Sequence, residues 1–263
     1  MRYSVGNITM NSNTLFRDEV LFVMFVQYLI RDKSMKTLGL IGGMSWESTI
    51  PYYRTINEQI KQRLGGLHSA KMVIYSVDFY EIEKLQTQGD WATAGQILGN
   101  AALALNKAGA EIIVVCTNTM HKMADEIMRI GGLPLLHIAD ATAKTIHEEN
   151  LSRVGLLGTR FTMEQAFYRE RLQAQDIEVI TPNEADRAII HRIIYEELCL
   201  GKIVDTSRDE YRRIIRSLEQ RGAKGIILGC TEIGLLISAA DASVPMFDTA
   251  AIHARAAADF SLS

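Results

Sequence analysis

The chain has 263 residues, of which 28 are Lys or Arg and 31 are Asp or Glu, so its formal net charge is −3. This balance argues against a nucleic-acid binder, which normally carries a basic excess or a basic face. A hydrophobic content of 48% with 4 prolines excludes an intrinsically disordered chain. Its 3 cysteines include no C-x-x-C pair, which argues against a disulfide scaffold or a structural zinc site and leads us to expect a reducing cytoplasm.

The first 34 residues do not have the pattern of a folded domain. Their longest apolar run, residues 20–30, is too short for a membrane-spanning helix, which needs about 20 apolar residues. Charged residues flank this run and no small-residue cleavage site follows it, unlike a signal peptide. We interpret residues 1–34 as an N-terminal appendage, either an amphipathic helix or a stretch that precedes a second translation start at Met35. We expect no membrane partner.

From residue 36 onward, short apolar runs alternate with longer helical patterns, which predicts an α/β fold. Continuous runs of Val, Ile and Leu favour parallel strands that are covered on both faces. The predicted strands are residues 37–41, 71–77, 111–115, 135–138, 153–157, 178–181, 225–228 and 245–247. The predicted helices include residues 48–63, 91–108, 163–174, 184–200 and 207–220.

The chain also repeats itself at long spacing. Residues 39–54 parallel residues 155–169, and residues 107–115 parallel residues 220–228, in the same order. Two matched pairs indicate two similar α/β halves rather than a solenoid, although chance similarity between strand-turn segments is the alternative. We predict a first domain of residues 35–140 plus 245–263 and a second of residues 141–244, related by pseudo-twofold symmetry, with the active site in the cleft between them.

The residues that follow each repeated strand are the candidate site, because ligands of open α/β sheets bind beyond the carboxyl ends of the strands. When the repeats are aligned on their Gly-Ala dipeptides, Thr117 corresponds to Cys230. A hydroxyl and a thiol from opposite halves would frame a small molecule and suit proton abstraction from a carbon acid. A following helix N-terminus would lower the pKa of the thiol, and Asn118 and Thr231 could donate to a substrate carboxylate.

Four motifs make the sequence resemble the aspartate/glutamate racemase family. They are Gly-Leu-Ile-Gly-Gly-Met-Ser at 39–45, Thr-Asn-Thr-Met-His at 117–121, Gly-Cys-Thr-Glu at 229–232 and Pro-x-x-Asp at 245–248. The likeness covers nearly all of residues 36–263. It implies a cofactor-independent racemase of aspartate or glutamate, built from two α/β halves and assembled as a homodimer. Each half would supply one acid/base group, and the two groups would act on opposite faces of the substrate Cα.

The chain departs from the family pattern at one position. Thr117 occupies the usual cysteine position and Cys116 is displaced by one residue, whereas Cys230 matches. A threonine hydroxyl is too weakly acidic to act alone as a general base near neutral pH. Thr117 could relay a proton with help from a neighbour, Cys116 could turn into the site, or the first half could have lost its role. Side chains alternate along a strand, which disfavours Cys116.

We therefore predict Thr117 and Cys230 as the acid/base pair. As a hypothesis, turnover is then efficient only from the enantiomer whose proton faces Cys230, and equal rates from both enantiomers would contradict it. By resemblance, the residues that line the substrate pocket are Met44, Ser45, Ser76, Asn118, Thr119, Thr231 and Glu232.

A distal substrate carboxylate would need a cation, since Arg binds carboxylates with two hydrogen bonds. Arg160 is the first candidate and Arg54 the second, and a solvated surface charge is the alternative for each. His121 lies one helical turn past Thr117 and would either orient the loop, tune a proton or serve as a structural histidine.

Motifs for other chemistries are missing. Residues 39–43 have neither the spacing of a dinucleotide site nor the ending of a phosphate loop. The 6 histidines show no paired metal-ligand spacing, and a nucleophile elbow is absent. We expect no metal and no cofactor. The alternatives that keep this fold are a hydantoin racemase, another carbon-acid isomerase or decarboxylase, and a non-catalytic ligand-binding protein.

Overall fold

The computed structural model describes residues 35–263, so the interpretation of residues 1–34 lies outside the described residues. Every predicted strand is present, with bounds that differ by at most two residues. The strands are β1 (Leu38–Gly42), β2 (Met72–Ser76), β3 (Ile112–Val115), β4 (Leu135–Leu136), β5 (Arg153–Gly158), β6 (Glu178–Ile180), β7 (Ile226–Gly229) and β8 (Met246–Asp248).

The strands form two parallel sheets with the same topology. The order is β2-β1-β3-β4 in the first sheet and β6-β5-β7-β8 in the second. β1, β3 and β7 are buried along their whole length, as the continuous apolar runs predict. β2 is an edge strand whose last three residues are exposed. The predicted α/β class with two similar parallel-sheet units is confirmed.

Helices connect the strands and cover the sheets. They are α1 (Trp46–Leu64), α2 (Phe79–Gln88), α3 (Trp91–Lys107), α4 (Ala124–Gly131), α5 (Ile138–Glu148), α6 (Arg160–Glu164), α7 (Ala166–Gln173), α8 (Glu184–Glu196), α9 (Asp205–Gln220), α10 (Ile233–Leu236) and α11 (Thr249–Ser261). Short 3₁₀ helices span Thr119–Met123, Leu198–Leu200 and Ala239–Asp241. None of the helices between residues 35 and 263 has the length and apolarity needed to cross a bilayer.

Three of the differences from the predicted element bounds have a local cause. The predicted helix 163–174 is divided into α6 and α7 because Gln165 adopts an extended conformation (φ −80°, ψ 151°). The predicted helix 184–200 ends at Glu196 and is followed by the 3₁₀ turn that contains Cys199. β4 ends before residue 138 because His137 caps α5, where its Nδ1 accepts a hydrogen bond from the Ala139 N–H at 3.2 Å.

Two crossovers link the halves. α5 packs into the core of the second half, whereas α11 returns to the first half, where Ala250 and Ala254 pack with Leu38 and Tyr52. β8 pairs with β7 in the second sheet. The predicted first domain, 35–140 plus 245–263, therefore differs from the structure at β8, because backbone pairing rather than position next to α11 decides the sheet to which a strand belongs.

Candidate active site

A small cleft between the two halves lies at the carboxyl ends of the strands. This is the edge at which parallel α/β sheets bind ligands. Residues of both halves line it: Met44, Phe79, Gln86, Thr117 and Thr119 from the first, and Thr159, Ile194, Tyr195, Cys199, Cys230 and Glu232 from the second.

Thr117 and Cys230 both line this cleft, each in the loop after the third strand of its half. Thr117 is half-buried, and Cys230 is buried with 8% of its surface exposed. The structure therefore brings together the two residues that the repeat alignment paired. A substrate between them would have a hydroxyl on one side and a thiol on the other.

Cys116 faces away from the cleft. It is fully buried among Leu38, Tyr52 and Ala254, and its Sγ lies 3.9 Å from the Val114 carbonyl oxygen. Alternation of side chains along the strand end sends Cys116 into the core and Thr117 into the cleft. The alternative in which Cys116 turns into the site is therefore wrong.

Glu232 joins the two halves through both oxygens of its carboxylate. The Cys230 Sγ and the Thr231 hydroxyl donate to Oε2, each at 2.9 Å. The Ser45 backbone N–H and hydroxyl donate to Oε1 at 3.2 and 2.8 Å. Gly43, with a φ of +89°, turns the loop after β1, and a Cβ there would lie 2.2 Å from the Val77 carbonyl oxygen. Ser45 thereby reaches across to the second half.

The Cys230 thiol is in an environment that disfavours its ionisation. Burial, followed by the charge of the nearby Glu232 carboxylate, raises the pKa of Cys230 well above its ordinary value. The expectation that a helix N-terminus lowers this pKa is not met, because α10 has only 4 residues and a carboxylate is closer. Cys230 is therefore a thiol in this structure.

Asn118 and Thr119 tie the first half to the second. The Asn118 side-chain amide donates to the Thr249 hydroxyl at 3.0 Å, and Thr249 donates to the Leu228 carbonyl at 2.7 Å. The Thr119 and Thr159 hydroxyls lie 3.0 Å apart across the cleft. The Thr231 hydroxyl already donates its one proton to Glu232, so its predicted donation to a substrate is not available in this arrangement, whereas Asn118 uses one of its two amide N–H groups on Thr249.

Three predicted substrate-site residues lie elsewhere. Ser76 is exposed at the end of the edge strand β2 and does not line the cleft. The Arg160 side chain is 53% exposed and lies 4.0 Å from the Glu164 carboxylate, while Arg54 is exposed on α1. Among residues 35–263, no Lys or Arg lines the cleft, and no cluster of His, Cys, Asp and Glu has the arrangement of a metal site.

His121 fixes the backbone of the Thr117 loop. Its Nε2 accepts from the Ile138 N–H at 3.2 Å, so its Nδ1 carries the proton and donates to the Thr117 carbonyl at 2.7 Å. Burial lowers the pKa of His121 to about 4, which keeps the ring neutral at neutral pH. Of the roles that the sequence left open, these contacts favour orientation of the loop.

His121 belongs to a buried group of histidines at the crossovers between the halves. Its ring centre lies 4.6 Å from that of His137 and 5.6 Å from that of His253. His253 donates from Nε2 to the Leu136 carbonyl at 2.8 Å and accepts the Tyr52 hydroxyl proton at Nδ1 over 2.9 Å. Burial lowers the pKa of His253 to about 3 and that of His137 further still.

Sequence reasoning missed the side walls of the cleft. The Phe79 and Tyr195 rings stack across it with centres 6.3 Å apart, and the Tyr195 hydroxyl donates to Gln86 Oε1 at 3.3 Å. Cys199, which we placed inside a helix, lines the cleft from the 3₁₀ turn after α8. These residues have no motif of their own, because only the packing of helices from opposite halves brings them together.

Comparisons with known proteins agree with this arrangement. The model of the Asp/Glu/Hydantoin racemase family matches residues 41–257. The broad specificity amino-acid racemase RacX of Bacillus subtilis (strain 168) is 24% identical over 223 residues, which are 83% of this chain and 95% of RacX.

Solved structures show the same fold. A candidate Asp/Glu racemase from Yersinia pestis is 67% identical with a TM-score of 0.81, over 87% of this chain and 100% of the other. An aspartate racemase homologue from Pyrococcus horikoshii OT3 is 37% identical with a TM-score of 0.74, again over 87% of this chain and 100% of the other.

Proposed function

Since this chain belongs to the Asp/Glu/hydantoin racemase family, we propose that it interconverts the L and D forms of an amino acid by removing and returning the proton at Cα. Cys230 and Thr117 would serve as the acid/base pair. The observation that carries the proposal is that these two side chains line one interdomain cleft from opposite halves. Racemisation needs a proton to leave one face of a stereocentre and another to arrive at the opposite face.

We propose an acidic amino acid, aspartate or glutamate, as the substrate. The family model and the aspartate racemase homologue from Pyrococcus horikoshii support this class. The α-carboxylate and α-amino group would lie near the polar floor of the cleft, around Thr117, Thr119 and Thr159.

A wider range of substrates is the second candidate. Met44, Phe79 and Ile194 give the cleft an apolar wall, and no Lys or Arg lines it within residues 35–263. RacX, one of the relatives, is itself a broad specificity racemase. An uncharged substrate side chain would fit such a wall without a cation.

Incubation with individual amino acids in D₂O tests both candidates. We expect Cα deuterium incorporation, detected by NMR, with L- or D-aspartate or glutamate. The Cys230→Ala variant is expected to lose this exchange, while Cys199→Ala, which removes the other thiol of the cleft, serves as the matched control. Exchange of alanine or leucine as fast as that of aspartate would favour the wider range.

The same experiment separates the remaining alternatives. Exchange or racemisation of a 5-substituted hydantoin, with none of amino acids, would support a hydantoin racemase, and CO₂ release from a malonate would support a decarboxylase. Tight binding of an amino acid without any exchange would support a non-catalytic binding protein and contradict the proposed racemase.

We also propose that the chain forms a homodimer. The edge strand β2 exposes Ile74 and Tyr75, and an exposed apolar edge can pair with a second chain. Light scattering of the purified protein should give twice the chain mass, and a single-chain mass at working concentrations would contradict this proposal.

A further inference from the structure

The racemase function does not by itself explain why a carboxylate closes the cleft beside the thiol. Glu232 has only 2% of its surface exposed and accepts four hydrogen bonds from Ser45, Cys230 and Thr231. A buried anion would repel a substrate carboxylate at close range. Glu232 is therefore poorly placed to bind a substrate carboxylate, and its four hydrogen bonds point to a role towards its own neighbours.

Cys230 needs a proton acceptor before it can act as a base. Burial and the Glu232 carboxylate both favour its thiol form, whereas only the thiolate can remove a proton from Cα. Glu232 Oε2, at 2.9 Å, is the acceptor that contacts the Cys230 Sγ. The other titratable groups near Cys230 are Cys199, Tyr195 and Tyr211, whose pKa values burial raises, so each is neutral.

We propose that Glu232 accepts the proton of Cys230 each time this thiol acts as the base, which deepens the proposed racemase function and rests on it. The S–H bond breaks and an O–H bond forms on Oε2. The thiolate then takes the proton of Cα, while Thr117 gives its own proton to the opposite face. Glu232 releases its proton to solvent and Thr117 regains one from solvent, so the protons balance over a turnover.

The first half controls the position of this acceptor. Ser45 holds Oε1 from across the cleft through its backbone N–H and its hydroxyl. These two contacts help to fix the Glu232 carboxylate, while the contact between Cys230 and Glu232 lies within the second half. Ser45→Ala removes the hydroxyl donor to Oε1 and leaves the direct contact between Cys230 and Glu232, so it tests how much this support from the first half contributes.

The experiment compares the wild type, Glu232→Gln and Ser45→Ala in two measurements. Thiolate absorbance in the ultraviolet, corrected with the corresponding Cys230→Ser proteins, gives the Cys230 pKa, and Cα deuterium exchange of the proposed substrate gives kcat and KM. We expect Glu232→Gln to lower the Cys230 pKa by about one to three units, because a neighbouring negative charge is removed. We also expect kcat to fall by about 10²-fold with little change in KM, because the proton acceptor is lost.

These two changes together distinguish proton transfer from a structural or purely electrostatic role. If Glu232 only disfavoured the thiolate, its removal would give more thiolate and faster exchange. Glu232→Asp should recover part of the lost kcat. Ser45→Ala should lower kcat less than Glu232→Gln does, because the Ser45 backbone N–H still donates to Oε1. An unchanged or higher kcat in Glu232→Gln overturns this proposal alone, while a wild type that exchanges no substrate overturns the proposed function as well. If Glu232→Gln does not fold, a wild-type Cys230 that titrates at or below free cysteine also overturns the proposal.

Discussion

The two halves share a strand order and a sheet direction, but the loops after their third strands carry different chemistry. In the first half, Thr117 enters the cleft on a loop whose carbonyl is held by His121. In the second half, Cys230 enters it beside the Glu232 carboxylate. The common scaffold thus presents a hydroxyl with a fixed backbone on one side and a thiol with an adjacent proton acceptor on the other.

In this molecule the two halves place their loops at equivalent positions, but the side chains on those loops differ in reactivity. Each loop follows the equivalent strand of its own sheet, and both loops reach the same cleft at the carboxyl ends of the strands, whatever their side chains are. The proton affinity of each group then depends on its immediate neighbours. Two equivalent positions can therefore act unequally on the two faces of one substrate.

The largest effect is expected from the thiol side of the cleft. Cys230→Ala should reduce Cα deuterium exchange by about 10³-fold, because a general acid–base group contributes about 10²–10⁴-fold. Cys199→Ala, which changes the same cleft, should retain most of the exchange. Similar losses in both variants would mean that the shape of the cleft, rather than the Cys230 thiol, limits turnover.

Substitutions of Thr117, on the hydroxyl side of the cleft, should cause a smaller loss of Cα exchange and should alter the preference for one enantiomer. Thr117→Ala is expected to lower exchange by about 10²-fold, and Thr117→Ser to keep most of it. Thr117→Cys places thiols on both sides, so the rates from the two enantiomers should become more similar. Wild-type rates that are already equal from L and D substrate would contradict the expected direction bias.

The buried histidines near the crossovers should make the free energy of unfolding depend on pH. Burial lowers the pKa of His121 from 6.5 to about 4, so the unfolded chain binds a proton before the folded one does. The folded state is therefore fully stabilised by neutral His121 above pH 6.5. As the pH falls from 6.5 towards 4, the free energy of unfolding should decrease by about 3 kcal/mol on account of His121 alone. Urea unfolding at a series of pH values measures this loss.

His253 provides the matched variant for that measurement. Its pKa is lowered to about 3, again by burial. His253→Gln retains a group that can both donate and accept, but it cannot gain a proton. The free energy of unfolding should therefore fall less steeply between pH 6.5 and 4 in this variant, and an unchanged slope would count against the neutral buried histidines.

Cys116 offers a test that separates folding from catalysis within the first half. Cys116→Ser places a hydroxyl in an apolar core and should lower the free energy of unfolding by about 1–3 kcal/mol. Exchange by the folded variant should equal that of the wild type, because Cys116 faces away from the cleft. If Cys116→Ser lost Cα deuterium exchange while its free energy of unfolding stayed unchanged, Cys116 would have a role in the reaction.

The smallest effect is expected for Arg160. Its side chain is exposed beside Glu164, so Arg160→Ala should leave kcat/KM for every substrate nearly unchanged. A rise in KM for aspartate but not for alanine would show instead that Arg160 reaches the distal carboxylate when substrate is bound.

The sequence itself was sufficient to predict the fold class and much of the site. Continuous apolar runs such as β1 and β3 are local signals of strands buried on both faces, and the repeat alignment paired Thr117 with Cys230. β8 shows the limit of such reasoning, because its neighbours in the chain belong to the first half and its pairing partner to the second.

Only the tertiary structure decided which polar groups meet. The contact between Ser45 and Glu232 joins residues 187 positions apart, and the exposure of Arg160 follows from the way α6 lies on its own half. A sequence pattern shows which positions are apolar and how regularly they recur. Burial and the direction of strands can be inferred from this pattern. The burial that raises the pKa of Cys230 and the contact between Ser45 and Glu232 depend on distances between distant segments, which packing alone sets.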